Sequence, residues 1–148
     1  MPVLDGLFAI KIPVTDLTRS LEWYSAVFGL NPVLEFPDDD GVLRGVACEA
    51  AGLDGTLVAL RQNPDVARGI AGFDPVLWGV TDRPAMEEWA AHLDALGIAH
   101  SPMIEATVGW LVVFTDPDGL EHHLYTRTRH GAQQGVEGRG RAVTTSSA

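Results

Sequence analysis

The chain has 148 residues, enough for one compact domain or two small halves sharing a core. With 20 acidic against 10 basic residues its formal net charge is -10, and so acidic a surface repels nucleic-acid phosphates and anionic membranes. No apolar run approaches the ~20 residues that cross a bilayer, no basic leader precedes the first apolar segment, and the single cysteine, Cys48, excludes an internal disulfide. The expectation is a soluble cytoplasmic protein with no nucleic-acid and no membrane partner.

Taken in chain order, residues 7–14 alternate, with Phe8, Ile10, Ile12 and Val14 on one face and Ala9, Lys11 and Pro13 on the other. That period of two predicts a strand with one face against a core. Thr15-Asp16 offers a helix cap, and Leu17, Leu21, Tyr24 and Phe28 recur at helical spacing before Gly29 stops the helix. Three short apolar runs follow, at 32–36, 42–49 and 57–61, separated by the turns Asp38-Asp39-Asp40-Gly41 and Gly52-Leu53-Asp54-Gly55. Cys48 falls within the second run and reads as a small buried hydrophobe. The first half is thus β-α-β-β-β.

The second half repeats that order. Residues 76–80 read as a strand, Asp82 caps a helix with Pro84 in its first turn, and Met86, Trp89, Leu93 and Leu96 keep helical spacing up to Gly97. Strands are predicted at 103–106, 110–115 and 121–125, with Asp116-Pro117-Asp118-Gly119 as the last turn. The repeat is visible in letters: Val14-Thr15-Asp16 returns as Val80-Thr81-Asp82, and each helix closes on Gly and an aliphatic residue. These signs predict an internal duplication. Module 1 covers about 5–61, a linker 62–74, and module 2 about 75–127, all within one domain of 1–128. Residues 129–148 are rich in Gly, Ser and Thr and read as a disordered C-terminal tail.

The segment VTDLTRSLEWYSAVFGL at 14–30 resembles the opening signature of the vicinal oxygen chelate superfamily, and FTDPDG at 114–119 is similar to the turn before that family's last strand. The superfamily includes glyoxalase I, extradiol dioxygenases, fosfomycin-modifying transferases and bleomycin-resistance proteins. The resemblance spans about residues 5–127. It implies an α+β fold of two tandem βαβββ modules, with curved mixed sheets around a cleft and helices on the outer side. It also implies either a homodimer, since many relatives complete each cleft with a second chain, or a cleft closed by the two modules of one chain, as in others.

The same resemblance locates the positions that hold a divalent metal in most relatives. They fall here on Ala9, Ala59, Pro75 and His123. Only His123 offers a side-chain donor, whereas catalytic zinc sites keep about three protein ligands. A substitute site on Asp74, Glu121 and His123 is the one alternative the sequence leaves open. The expectation is a metal-free cleft with no cofactor. By strand alternation it is lined by Lys11, Pro13, Leu57, Arg61, Leu77, Gly79, Glu121, His123 and Tyr125.

A roomy apolar cleft with few polar groups suits a small organic guest. The implied function is metal-independent binding of the bleomycin-resistance type, sequestering an aromatic or polyketide-like compound. The candidate ligand contacts are Lys11, Arg61, Trp110, His123 and Tyr125, with Trp110 as a stacking surface. The alternative is a cofactor-free isomerase, cyclase or lyase using His123 or Glu121 as general acid or base. Asp16, Asp116 and Asp118 sit in caps and turns and are read as architectural.

Overall fold

A computed structural model describes residues 1–130 and 143. It contains eight strands and three helices among those residues, in two compact units. The first unit comprises Met1–Phe73 with Asp116–Leu120; the second comprises Asp74–Thr115 with Glu121–Ala148. Each unit carries its own four-stranded mixed sheet.

In the first unit β1 (Ala9–Val14) is followed by α1 (Leu17–Phe28), β2 (Asn31–Pro37), β3 (Leu43–Glu49) and β4 (Leu57–Gln62). The sheet order is β1-β4-β3-β2, with β1 parallel to β4 and the other pairs antiparallel. The second unit repeats the plan with β5 (Leu77–Val80), α3 (Arg83–Ala95), β6 (Ile104–Glu105), β7 (Trp110–Thr115) and β8 (Glu121–Thr126). Its order is β5-β8-β7-β6, again with only the outer pair β5-β8 parallel. The α+β fold of tandem βαβββ modules expected from the sequence is what forms.

Local chemistry fixes the element ends. Asp16 accepts the Arg19 N–H at 3.1 Å and Asp82 the Ala85 N–H at 3.0 Å, so both repeated Val-Thr-Asp tripeptides are N-caps. Gly29 ends α1 in the left-handed region at φ 67°, donating its N–H to the Ser25 carbonyl at 2.9 Å. In α1 the buried stripe is Leu17, Ser20, Tyr24 and Val27, so Leu21 and Phe28 lie at its margin instead of its centre. In α3 only Met86 and Leu93 are fully buried, and Leu96 is exposed.

The stretch 62–74, expected as a plain linker, contains a third helix, α2 (Pro64–Gly69). Asn63 caps it by accepting the Val66 N–H, and Pro64 occupies the first turn. A proline at that position starts a helix as readily as it breaks one, because the N–H it lacks would have no helical partner there. Of the expected tail, Arg129 and His130 are described, and the His130 N–H reaches the Val108 carbonyl at 3.2 Å. The remainder, apart from position 143, lies outside the described residues.

The first unit packs α1 over the sheet face that carries Ile12, Val14, Val46, Cys48, Val58 and Leu60, each no more than 2% exposed. Cys48 is thus a core residue, and burial pushes its thiol pKa up, away from the reactive thiolate. The turn Asp116–Leu120 docks on the same unit. The buried Tyr24 hydroxyl donates to Asp116 Oδ2 at 2.7 Å, while Asp116 Oδ1 accepts the backbone N–H groups of Asp118 and Leu120. Asp118 accepts both the N–H and the hydroxyl of Thr15 and pairs with Arg19 at 2.8 Å. All three aspartates are therefore architectural, as their turn and cap positions predict.

Candidate functional site

Adjacent histidines on β8 separate core from site. Residues 122 and 123 point to opposite faces of a strand by its two-residue period. His122 is fully buried, packs 5.5 Å from the Phe114 ring, and accepts the Trp78 indole N–H on Nδ1 at 3.0 Å. An accepting Nδ1 places the ring proton of the neutral form on Nε2. Burial holds the pKa of His122 down to about 4, with a smaller push from neighbouring His123, so it is neutral near pH 7.

His123 lies on the open face with one carboxylate at each nitrogen. Its Nε2 is 3.0 Å from Glu121 Oε1 and its Nδ1 3.4 Å from Asp74 Oδ2. A neutral imidazole carries a single N–H, so only the doubly protonated ring can donate to both carboxylates. The register extends this face. Leu77 pairs with His123, Gly79 with Tyr125, Val113 with His123 and Leu111 with Tyr125. Tyr125 holds its hydroxyl 3.1 Å from the Val108 N–H, which donates to it. Beyond Tyr125 the strand ends, and Arg127 lies over Gly79.

A hollow of about 200 Å³ opens at this end of β5 and β8, lined by Leu77, Trp78, Gly79, Tyr125, Thr126 and Arg127. A larger depression of about 440 Å³ in the first unit is walled mainly by the turn 50–56 and by Asn31 and Glu49. Asn31 and Glu49 bond each other there, and the hollow gathers no convergent ionic pair like that around His123.

The remaining sequence-derived candidates fall elsewhere. Lys11 and Arg61 share one face of the first sheet, because Lys11 pairs with Ala59 and Pro13 with Arg61. Arg61 is engaged by Asp38 at 2.8 Å, and Asp38 also takes Arg44 at 2.9 Å. These two guanidinium groups hold the Asp38 carboxyl below its ordinary range. Lys11 is exposed, and among the described residues it has no ion pair; Glu35 sits one register position off its face, opposite Val46. Trp110 lies on the helix side of the second sheet, one residue out of phase with Leu111, which pairs with Tyr125. Its ring carries the Arg83 guanidinium 4.2 Å from its centroid and the His130 ring edge-on at 5.7 Å. The structure therefore brings Glu121, His123 and Tyr125 together and leaves Trp110 on the other face.

Two residues were not singled out as ligand contacts from sequence. Asp74 was visible only as a candidate metal donor. Arg127 follows Tyr125 by two, and extending the alternation past the predicted strand end would have included it.

A profile of the Glyoxalase/Bleomycin resistance protein/Dioxygenase superfamily matches residues 6–124. The chain belongs to that superfamily. Solved structures of the superfamily fold extend the likeness. An antibiotic binding protein from a Streptomyces species superposes with TM-score 0.69 at 20% identity, covering 85% of this chain and 98% of that one. A lactoylglutathione lyase from Agrobacterium tumefaciens gives TM-score 0.66 at 18% identity, with 87% and 98% covered. The fosfomycin resistance protein FosX of Listeria monocytogenes, solved with Mn(II) and sulfate ion, gives 0.62 at 15% identity, with 85% and 93% covered. At these identities the likeness is one of fold, and the same scaffold serves binding and catalysis.

Metal chemistry is common on this superfamily fold, so the donor set of this member matters. Ala9, Ala59 and Pro75 carry no side-chain donor. Both nitrogens of His123 face carboxylates, Nδ1 that of Asp74 and Nε2 that of Glu121. Among the described residues no group of three or more His, Cys, Asp or Glu side chains is arranged to hold a metal ion.

Proposed function

We propose that this superfamily member binds a small, largely apolar organic molecule without a metal, and that it acts by sequestration. The observation that carries the reading is the open face of Leu77, Gly79 and Tyr125 beside a shallow hollow; Ala9, Ala59 and Pro75, which stand where the sequence resemblance implies metal ligands, support it. A hollow with apolar walls and a few polar groups at one end is the usual make-up of a small-molecule site. The antibiotic binding protein among the structural relatives is consistent with this use of the fold.

Two measurements test it. Elemental analysis of protein purified without chelator or polyhistidine tag is expected to give far less than one metal ion per chain. A thermal-shift screen of neutral and charged aromatic compounds is expected to give hits that raise the midpoint in proportion to log ligand concentration. Stoichiometric zinc, iron, nickel or manganese would sink the metal-free reading. A blank screen would sink the binding reading.

A second reading rests on the Asp74–His123–Glu121 cluster. Carboxylates beside an imidazole are the groups of acid–base chemistry, and Glu121 or His123 would serve a cofactor-free isomerase, cyclase or lyase. His123→Gln separates the two readings. A binder loses a modest part of its affinity, whereas an enzyme loses turnover and still binds.

We further propose a homodimer. In the first unit Leu7, Phe8, Val33, Leu34 and Phe36 are each 45–80% exposed, apolar side chains that a second copy of the chain could cover. Sedimentation equilibrium is expected to give twice the 15.9 kDa chain mass; a monomer at micromolar concentration would refute this.

A further inference from the structure

We propose that the hollow at the end of β5 and β8 is an anion-selecting subsite for a planar aromatic carboxylate, with Arg127 as the group that binds the acid. The inference rests on the small-molecule reading above and goes beyond it by naming the ligand's charge and its orientation.

Arg127 is placed by an absence on the neighbouring strand. A Cβ built on Gly79 would lie 2.7 Å from Arg127 Nε and 2.9 Å from its Nη2, so the guanidinium occupies the space a side chain would fill. The Arg127 N–H donates to the Val80 carbonyl at 2.7 Å, which fixes the stem of the side chain beside β5. The guanidinium is thus laid along the backbone of Gly79, with its outer side open to solvent.

Among the described residues its charge also has no counter-ion. Arg19, Arg44, Arg61, Arg68 and Arg83 are each within 4 Å of a carboxylate. Arg127 has no carboxylate partner among the described residues, in a chain with twice as many acidic as basic residues. A planar guanidinium with free N–H groups takes a carboxylate in two parallel hydrogen bonds. Tyr125 and Leu77 stand next to it and offer a ring and an aliphatic surface to the rest of the guest.

The opposite end of the same face sets the direction. His123 is four residues from Arg127 along the chain, about 13 Å at the rise of a strand, and it is flanked by Asp74 and Glu121. That end carries two carboxylates to one imidazole and repels an anion. A ligand with one acid group therefore lies with the acid toward Arg127 and its neutral or donor end toward Glu121. At about 200 Å³ the hollow is smaller than typical drug-sized sites, which start at roughly 300 Å³, so one or two fused rings suit it.

The test compares 2-naphthoate with its neutral near-isostere 2-naphthamide, titrated by intrinsic probe fluorescence. The acid is expected to bind the unmodified protein more tightly than the amide. Arg127→Gln is expected to weaken the acid about tenfold and the amide less than twofold, at the lower end for a charged hydrogen bond because the site is open. Gly79→Ala keeps the charge but pushes the guanidinium aside, and it is expected to act in the same direction. Arg127 is exposed, so R127Q should keep the thermal midpoint, and that variant carries the test if G79A loses stability.

Equal affinity for acid and amide, or equal loss of both in R127Q, overturns the anion subsite. So does a variant that shifts only the monomer–dimer equilibrium, since Arg127 would then serve a second copy of the chain. No binding of either probe at millimolar concentration also overturns it. The wider binding reading falls only if the screen of neutral compounds is blank as well.

Discussion

The two units share one backbone plan but bury opposite kinds of ionisable group. In the first, an acid is taken into the interior: Asp116 is 5% exposed and held by Tyr24 and two backbone N–H groups. In the second, a base is taken in: His122 is fully buried against Trp78 and Phe114. The open faces differ too. The first sheet shows Ala9, Lys11 and Pro13, with Arg61 and Arg44 tied to Asp38, whereas the second shows a carboxylate–imidazole–carboxylate cluster and an arginine, Arg127, with no ion pair among the described residues. A duplicated fold thus preserves strand order and helix caps while each copy acquires its own chemistry.

The largest expected effect breaks the first unit. Asp116→Ala strips a partner from the Tyr24 hydroxyl and from the Asp118 and Leu120 N–H groups, leaving buried donors unsatisfied. A loss of about 3 kcal/mol is expected, and a fall in midpoint of roughly 10 °C for a chain of this size. Tyr24→Phe removes one of those bonds and is expected to cost about half as much. Urea denaturation of both variants checks the order; equal midpoints to the parent would show that the turn is not held by this network.

The pH dependence of stability sharpens the contrast. His122 has its folded pKa pushed down to about 4, below the ordinary 6.5. The unfolded chain then binds more protons between those values, so this contribution is present above pH 6.5 and is lost as pH falls through 4. At pH 4.5 the expected loss is about 2–3 kcal/mol. Asp116 works the other way. Burial raises its folded pKa, so its contribution is full below the ordinary carboxylate value and is lost as pH rises through the folded one. His122→Leu, compared with its own stability at pH 7, should lose the acid-side decline and retain the small gain due to Asp116. An unchanged slope between pH 6.5 and 4.5 in that variant would show that other groups dominate.

Element order, helix N-caps and the two faces of β8 were legible because each rests on a local signal. Alternation separated His122 from His123, the Val-Thr-Asp repeat marked both caps, and the Asp-Pro-Asp-Gly turn announced its own hydrogen bonds. The misses have physical causes. Helix α2 hides behind Asn63-Pro64, since the same two residues that suggest a break also cap a helix. Ser20 and Val27 replace Leu21 and Phe28 in the buried stripe of α1, because spacing alone does not fix the angle at which a helix meets its sheet. Trp110 looked like a stacking surface by residue type, yet the register puts it on the side of Leu124 and not Tyr125. Arg127 lies one step past an apparent strand end, and its position depends on the missing side chain of Gly79 on another strand.

The smallest expected effect concerns the edge of the first sheet. Arg61 and Arg44 share Asp38, and Arg44 also reaches Asp40, so four charged groups form a short exposed network. Each side chain there is 31–53% exposed, and water screens such pairs almost completely. Arg61→Gln should therefore leave the thermal midpoint unchanged within error at ordinary salt. Removing the guanidinium also frees the space beside Gly45, where a built Cβ lies 3.4 Å from Arg61 Nη1. Arg61 was a candidate ligand contact from sequence, and the network argues that its charge is already answered. If R61Q weakens 2-naphthoate as strongly as R127Q does, the distinction between a paired and an unpaired arginine fails, and both sheets contribute to recognition. If R61Q leaves the probe untouched while R127Q does not, the chemistry of binding lies in the second unit.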